Sequence, residues 1–340
     1  MRKIRKRKGN RNKKIIIMTT FALICCLTIG YAAFGTTLNL KAKGNVVVLE
    51  DLYVASYGSD STGNGTRSKP FATIQKAYDR AGDAASIHIL DNITQRETIN
   101  FDKNKEITLD SVNNNSVIRD NSLTNTLLNI TTGTTTFENI TFDGNNVEVG
   151  SAMIEVCSDI VIEDGAVFKN TYNTGDFGGA ISFRSGTSII NGGEFFDNNV
   201  TAGGSALYVH NNNVTLIING GKIHDNIAKD GAIWSAGKII INNVEIYNNT
   251  SSYMGGGIVS SGTIEMYNGT IYNNNASIGG GIATGYYSWT DSVLTIASGT
   301  IYNNKATNSG GGLYLNPNTV YTNTGGTIEN NNPDNVYRAS

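Results

Sequence analysis

Apolar residues recur along the second half of the chain at intervals close to 25 residues. One set of apolar anchors follows a Gly-rich step, has successive spacings of 26, 26, 25, 24 and 31 residues, and comprises Ile181, Leu207, Ile233, Ile258, Ile282 and Leu313. A second set runs in phase with the first and comprises Phe142, Phe168, Phe195, Ile223, Ile246, Ile271, Ile301 and Ile328. Two phase-locked sets indicate one structural unit stacked on copies of itself.

Short β-rich runs separated by clusters of Asn, Asp and Gly fill each interval. A repeat of this length without helical periodicity has room for three short strands and three turns. The low Pro content, 3 against 39 Gly, suits a continuous ladder in which nearly every N–H donates a hydrogen bond. The pattern predicts an all-β fold, a right-handed parallel β-helix over residues 86–338, with about ten coils stacked about 4.8 Å apart.

A different pattern precedes the repeat. Residues 52–55 predict a strand and residues 69–77 a helix, because Phe71, Ile74 and Ala77 share one face at three-to-four spacing. Over residues 53–77, the "YV…GSD…GT…PF.TIQ.A" pattern resembles the N-terminal cap of β-helix proteins of the pectin-lyase-like superfamily. The resemblance implies a strand–helix cap over residues 53–85. Segments 178–181 and 195–198 are also similar to repeats of polymorphic outer-membrane adhesins.

The N-terminus predicts export. Residues 2–14 hold nine basic side chains, residues 15–40 are uncharged, and the small residues Gly30 and Ala32 suit cleavage after Ala32. Residues 30–34 resemble leaders of exported surface and matrix proteins of Gram-positive bacteria. An uncleaved anchor is the alternative, and it would be the only contact with a membrane. We expect a leader over residues 1–32, a spacer over 33–52, and an extracellular or cell-surface location.

Charge and cysteine content narrow the possible partners. The chain has 26 basic and 28 acidic residues, and removing the nine basic residues of the leader (26 − 9 = 17) leaves a net charge of about −11. Such a chain lacks the basic surface that nucleic-acid binding requires. Cys157 is the only cysteine outside the leader, which excludes a disulfide framework and a cysteine metal site.

Strand alternation predicts an exposed aromatic groove. Residues one and three positions after the first anchors should point outward, which groups Arg184, Tyr208, His210 and Trp234 on three successive coils. The 31-residue step adds an insertion whose rings could wall this groove, Tyr286, Tyr287 and Trp289. Rings beside cationic and polar groups favour a glycan or partner-binding site, whereas ordinary sheet-surface aromatics are the alternative.

The second anchors predict two further columns. One residue after them lies an outward column, Phe196, His224, Tyr247, Tyr272 and Tyr302, which is either a sheet-stabilising ladder or a binding stripe. Three residues after them lie Asn145, Thr171, Asn198, Asn226, Asn249, Asn274, Asn304 and Asn331. This second column predicts an internal Asn ladder at a turn that needs left-handed residues, with surface ligand binding as the alternative.

The carboxylates point to no clear catalytic centre. Asp197 and Asp225 occupy equivalent positions on adjacent coils, as a retaining glycosidase pair would, but the column continues with Asn and therefore predicts a turn. Asp176 and Asp230 precede Gly-rich strands and are the candidate ligands for calcium; we expect no other cofactor. The resemblance to the pectin-lyase-like superfamily implies, for a lyase, a cluster of Asp ligands with a Lys or Arg base, and the sequence shows no such cluster.

Three functions follow from these patterns. The favoured one is a secreted or cell-surface interaction protein that binds a polysaccharide or a surface protein through an exposed aromatic face. The second is a polysaccharide lyase or glycoside hydrolase, as the superfamily resemblance implies. The third is a purely structural component of an extracellular matrix.

Overall fold

The computed structural model describes residues 41–42, 44–45, 49–175, 177–285 and 291–340. Residues 1–49 and 50–340 form separate units. The first contains an antiparallel pair, β1 (Lys41–Ala42) and β2 (Gly44–Asn45). The leader predicted over residues 1–32 lies outside the described residues. In the described part, no helix is long and apolar enough to cross a membrane.

Residues 50–340 form a right-handed parallel β-helix of about ten coils, as predicted. The strands are numbered along the chain and belong to four sheets. Sheet 1 contains β3 (Leu49–Val54), β4 (Ala81–Ile89), β7 (Glu106–Ser111), β10 (Thr134–Glu138), β14 (Asp159–Ile162), β18 (Thr187–Ile190), β22 (Thr215–Ile218), β26 (Lys238–Ile241), β30 (Thr263–Met266), β34 (Val293–Ile296) and β38 (Val320–Asn323). Sheet 2 contains β5 (Ile93–Gln95), β8 (Ser116–Arg119), β11 (Thr141–Asp143), β15 (Val167–Lys169), β19 (Glu194–Phe196), β23 (Lys222–His224), β27 (Glu245–Tyr247), β31 (Thr270–Tyr272), β35 (Thr300–Tyr302) and β39 (Thr327–Glu329).

The two remaining sheets complete each coil. Sheet 3 contains β12 (Glu148–Val149), β16 (Tyr172–Asn173), β20 (Asn199–Gly203), β24 (Ile227–Asp230), β28 (Thr250–Met254), β32 (Asn275–Ile278) and β36 (Lys305–Ser309). Sheet 4 contains β6 (Ile99–Phe101), β9 (Leu128–Ile130), β13 (Ile154–Val156), β17 (Ile181–Phe183), β21 (Leu207–Val209), β25 (Ile233–Ser235), β29 (Ile258–Ser260), β33 (Ile282–Thr284), β37 (Leu313–Leu315) and β40 (Val336–Arg338).

The coils that contain a strand of sheet 3 have four strands, so the prediction of three strands per coil is wrong for them. The chain visits sheets 1, 2, 3 and 4 in turn, as in β14, β15, β16 and β17. Sheet 3 forms because a small or β-branched residue after the turn points inward and is buried, such as Val200, Ala228, Ala276 and Ala306. Each of these extra strands is followed along the chain by a strand of sheet 4, as β28 is by β29.

Columns of like residues fill the core. The first set of anchors is completely buried, and the second set is buried from Phe142 to Ile301. Phe142 and Phe168 stack with ring centroids 5.5 Å apart, and Phe168 and Phe195 stack at 4.8 Å. Each coil therefore buries its apolar residues against the same residues of its neighbours, as a solenoid requires.

A short helix, α1 (Ile74–Arg80), packs on the first coil. Thr73 is its N-cap, and Thr73 Oγ1 accepts a hydrogen bond from the Lys76 N–H at 3.1 Å. On its buried side, Tyr78 stacks on Phe101 of β6 with ring centroids 4.2 Å apart. The predicted strand and helix are both present, but the helix begins at Ile74, because the preceding residue Thr73 is extended and caps it.

An internal Asn ladder connects the coils next to sheet 2, as predicted. Its members are buried and comprise Asn198, Asn226, Asn249, Asn274, Asn304 and Asn331. Each Nδ2 donates to Oδ1 of the next member at 2.9–3.0 Å, and Asn331 donates to Asn335 at 3.1 Å. Asn145 lies outside the ladder, since it donates instead to the Arg119 carbonyl and to Asn121.

The left-handed turn residue is the one before each ladder Asn, which corrects the predicted position by one residue. The residues directly before the six ladder members all have a positive φ, between 52° and 55°, and comprise Asp197, Asp225, Asn248, Asn273, Asn303 and Asn330, whereas Asn145, outside the ladder, has the positive φ itself. Asp and Asn tolerate this region better than most residues. The next residue then points its amide into the interior and joins the ladder.

Candidate functional site

The first candidate surface is the outer face of sheet 4. Tyr208 and Trp234 lie side by side on β21 and β25, on adjacent coils, as the alternation predicts. They are nevertheless buried, with 8% and 6% of their surface exposed. Phe177, which precedes β17, lies over both rings with centroids 5.2 Å from each. The prediction of an open groove is therefore wrong for Tyr208 and Trp234.

The cover comes from sheet 3 and from the segments that follow it. Met254 of β28 packs with Tyr208, Trp234, Val259 and Ala283 in one cluster, against which the partly buried residues Phe177, Ala236, Ile278 and Tyr314 also pack. Gly203 has no side chain and so leaves room for the rings of Phe177 and Trp234. A Cβ at this position would lie 3.1 Å from an atom of each ring. We call these residues the covered cluster. Its apolar packing explains the two large rings without any ligand.

Arg184 and His210 remain accessible beside the covered cluster. The Arg184 Nη2 lies 3.1 Å from Glu155 Oε1 of the preceding coil, so its charge is already paired. His210 is exposed, and its ring meets Tyr208 edge-on with centroids 5.7 Å apart. The other predicted groove residues, Tyr286, Tyr287 and Trp289, lie outside the described residues.

Of the two candidate calcium ligands, the structure describes only Asp230, and it does not place Asp230 in an open site. Asp176 lies outside the described residues. Asp230 is only 1% exposed, and its Oδ1 accepts the Met254 N–H at 3.3 Å within sheet 3. Across the described ranges, no group of three or more His, Cys, Asp or Glu side chains is placed to hold a metal ion. Calcium binding by Asp176 and Asp230 stays a prediction.

The second candidate surface is the outer face of sheet 2. Five rings in register form a column that we call the ring stripe, comprising Phe196, His224, Tyr247, Tyr272 and Tyr302. Neighbouring centroids are 5.3, 4.7, 5.1 and 5.1 Å apart, with planes tilted by 12° or less. All five rings are partly exposed. The predicted column of stacked rings is therefore present, and no sheet-3 segment buries it.

Stacking determines which part of each ring can meet a ligand. Because neighbouring planes are nearly parallel, each inner ring contacts its neighbours through both faces and presents its edge to solvent. The column therefore offers ring edges and three phenol hydroxyls to a ligand rather than open ring faces. Such a row donates and accepts hydrogen bonds on rigid supports.

Polar residues flank the ring stripe on both sides. On one side, the outward residues at the start of the same strands are Glu194, Lys222, Glu245, Thr270 and Thr300. On the other side lie the left-handed turn residues that follow each ring, with Asp197 and Asp225 at one end and Asn at the other. A groove of about 550 Å³ runs beside the first row between sheets 1 and 2, and Asp164 lines it together with Glu194, Lys222, Glu245 and Thr270.

His224 is the most constrained member of the ring stripe. Its Nδ1 lies 2.7 Å from Asp225 Oδ2, and its Nε2 lies 2.9 Å from Glu194 Oε1. The Asp225 carboxylate is thus engaged in positioning the histidine, and both Asp197 and Asp225 have the positive φ of the turn column. This arrangement supports the prediction of a turn rather than of a glycosidase pair.

Burial affects the tyrosines of the ring stripe. It raises the pKa of Tyr247, which the nearby Tyr272 and Glu194 raise further. Burial likewise raises the pKa of Tyr272, with Glu245 and Tyr302 adding to the effect. Both phenols therefore keep their protons, and their capacity to donate hydrogen bonds, to a higher pH than a free tyrosine.

Sequence reasoning missed a second Asn ladder, formed by residues that directly follow strands of sheet 1. Asn242 donates to Asn219 at 2.7 Å, Asn219 to Asn191 at 2.8 Å, and Asn191 to Glu163 at 2.9 Å. The signal was available, because the triplet Ile-Ile-Asn recurs at 189–191, 217–219 and 240–242. Unlike the internal ladder, these amides are exposed.

The stacked parallel sheets define the class of this protein: it is a right-handed parallel β-helix protein of about ten coils. No protein-family model matches the chain, and no curated protein or solved structure shows significant similarity to it. The geometry of the two ring columns is therefore the basis for an argument about function.

Proposed function

We propose that this chain is an extracellular interaction protein whose rigid β-helix binds an extended glycan along the ring stripe. Export is supported by the nine basic residues at positions 2–14 and by the uncharged run over residues 15–40. The protein is released after cleavage near Ala32 or held at the cell surface by an uncleaved leader. The net charge of about −11 beyond the leader argues against nucleic acid as a partner.

The proposal rests on one observation: five partly exposed rings stack in register on successive coils. Rings supported on both faces lose little conformational freedom when a ligand binds, so their hydroxyls act at low entropic cost. The hydroxyls of Tyr247, Tyr272 and Tyr302 recur once per coil, which suits a polymer with repeating hydroxyl groups. Several weak contacts along one polymer add up to useful affinity.

We also propose that the chain belongs to the pectin-lyase-like superfamily. It is supported by the motif over residues 53–77 and by a strand and helix at the corresponding place in the fold. The superfamily often acts on polysaccharides, which agrees with a glycan ligand. A lyase or hydrolase activity is the alternative function, and turnover would reveal it directly.

The decisive variant removes the hydroxyls and keeps the rings. We expect the purified triple variant Tyr247→Phe, Tyr272→Phe, Tyr302→Phe to lose about 100-fold in affinity for the glycan that the parent protein binds. Three hydrogen bonds at about 1 kcal/mol each give this factor. Binding is measured on a panel of neutral, amino and acidic polysaccharides, with and without calcium, and product formation is followed in the same samples.

The control is Tyr267→Phe, because Tyr267 is an exposed tyrosine that directly follows β30 of sheet 1 and does not belong to the ring stripe. It should leave both affinity and thermal unfolding unchanged. Equal affinity of the triple variant and the parent protein would place the glycan elsewhere. New reducing or unsaturated ends would replace the proposal by the enzymatic alternative, and the absence of binding across the panel would favour a structural or protein-binding role.

A further inference from the structure

We infer that the glycan bound along the ring stripe is a straight, cellulose-type polymer of β-linked sugars and not a helical, starch-type polymer of α-linked sugars. This inference rests on the proposed function and specifies its ligand class. It comes from three consecutive coils of the ring stripe that present the same hydrogen-bonding groups at a constant interval.

One motif of four residues recurs on these three coils. The sequence Ile-Tyr-Asn-Asn occupies residues 246–249, 271–274 and 301–304. In each copy the Ile is buried in the core, the first Asn is the left-handed turn residue, and the second Asn belongs to the internal ladder. The fold therefore accounts for the Ile and for both Asn residues, but not for the Tyr.

The coil does not require tyrosine at this position. The strands in register with the three tyrosines carry Lys169, Phe196 and His224 on one side and Glu329 on the other. A lysine, a histidine and a glutamate thus fit the same outward position. Three tyrosines in succession are therefore a property of this surface and not a demand of the fold.

The three phenol hydroxyls are available to a ligand. The rings of Tyr247, Tyr272 and Tyr302 are partly exposed, and no group in the described part of the chain is hydrogen-bonded to their hydroxyls. The left-handed Asn that follows each ring is exposed as well. Each of the three coils therefore presents one phenol and one amide to solvent, and both groups donate and accept hydrogen bonds.

This array is straight and has one period. Tyr247, Tyr272 and Tyr302 are direct partners in sheet 2, and both distances between neighbouring ring centroids are 5.1 Å. Their planes differ by only 12° and 7°, so the rings hardly rotate from one coil to the next. A rigid array of this kind engages several units of one polymer only if the polymer is straight and has a matching advance per unit.

A cellulose-type chain meets both conditions. Its β linkages turn each sugar by half a turn relative to the last, which gives a flat ribbon with hydroxyls along both edges. Each sugar advances the ribbon by nearly the spacing of neighbouring strands in a sheet, about 4.8 Å. The α linkages of a starch-type chain wind it into a helix with a shorter advance per sugar, so its hydroxyls fall out of step with the phenols.

The test compares two hexasaccharides that differ only in the configuration of the linkage. Cellohexaose and maltohexaose are titrated separately into the purified protein in a calorimeter. We expect cellohexaose to bind at least tenfold more tightly, because it reaches all three phenols at once. Cello-oligosaccharides too short to span the three coils should bind progressively more weakly.

Two variants connect this preference to the repeated motif. The triple variant Tyr247→Phe, Tyr272→Phe, Tyr302→Phe keeps the stacked rings and should reduce the preference to less than about threefold. Asn273→Gly keeps the left-handed turn, because glycine readily adopts a positive φ, and should weaken the binding of cellohexaose. Asn114→Gly is the matched control, since Asn114 is an exposed left-handed residue outside the ring stripe, and it should leave the affinity unchanged. Thermal unfolding of each variant verifies that the fold is retained.

Equal affinity for the two hexasaccharides, or tighter binding of maltohexaose, would overturn the inference and leave glycan binding standing. A different glycan that binds along the ring stripe while cellohexaose does not would have the same meaning. A preference for cellohexaose that the triple variant retains would place the binding site elsewhere and overturn both the inference and the proposed role of the ring stripe. If no polysaccharide binds, the inference and the proposed function fail together.

Discussion

Two columns of aromatic residues point away from the core, and they differ in their exposure to solvent. Tyr208 and Trp234 on sheet 4 are almost completely buried under Phe177 and their neighbours in the covered cluster. Tyr247 and Tyr272 on sheet 2 are partly exposed and stack on one another. All four rings start from an outward position on a three-residue strand.

The chain segments on either side of sheet 3 account for this difference in exposure. After sheet 2 the chain makes a tight turn through one left-handed residue and leaves the outer face of the sheet free. Before sheet 4 it passes through sheet 3 and a Gly-rich segment, from which Met254 and Ile278 reach the outer face. An outward ring on a β-helix is therefore accessible to solvent only where no neighbouring segment covers it.

The largest expected effect is that of Trp234→Ala, which removes the largest ring of the covered cluster. Loss of a buried Trp should lower the free energy of unfolding by about 3–5 kcal/mol. Tyr272→Ala is the matched change in the ring stripe and should cost only about 1 kcal/mol, because the Tyr272 ring stacks on Tyr247 and Tyr302 at a partly exposed surface. Urea unfolding of both variants measures the loss in free energy of unfolding. Equal losses would mean that the two columns do not differ in their contribution to stability.

A smaller effect separates buried from exposed amides of the same chemistry. Asn249→Ala should cost about 2–3 kcal/mol, since Asn226 loses the acceptor of two bonds and the Ile223 carbonyl loses a donor inside the protein. Asn242→Ala breaks the exposed ladder of sheet 1 and should change stability by less than about 0.5 kcal/mol. The denaturation midpoints of the two variants measure these losses of stability. Comparable losses in both variants would mean that burial does not explain the contribution of the internal ladder to stability.

The smallest effect is a dependence on alkaline pH that comes from the ring stripe. Burial raises the pKa of Tyr247 and Tyr272 above the ordinary value of 10.0. The folded protein therefore holds these protons more tightly than the unfolded chain, and the stability they contribute is present below pH 10 and lost as pH rises through the raised pKa values.

Spectrophotometric titration of tyrosinate, with unfolding midpoints recorded on both sides of pH 10, measures this effect. The double variant Tyr247→Phe, Tyr272→Phe should lose the late-titrating phenols and show a shallower decline in stability. Because the variant has two fewer phenols, a difference from the parent curve that is centred near pH 10 rather than above it would show that the two phenols are as solvated as free tyrosine.

Much of the fold followed from the repeat. The anchor columns, the internal Asn ladder and the stacked rings of sheet 2 were all predicted, because each depends on residues that recur at the same place in every coil. The left-handed residue was predicted one position too late. Asn occupies both adjacent columns, as at Asn248 and Asn249, and only the backbone conformation and the direction of the side chain distinguish the two columns. Sheet 3 was missed because its inward residues are small and vary between Val, Ala and Ser.

The sequence by itself determined which residues face outward, which column lies inside and how the coils stack, because strand alternation and stacking are local rules that repeat along the chain. Only the tertiary structure decided which outward rings meet solvent. Met254 and Ile278 end strands of sheet 3 and Phe177 precedes β17, and they reach the outer face of sheet 4 only once the coils have stacked. The burial of a surface ring depends on how these segments pack across neighbouring coils, and strand alternation alone does not report that packing.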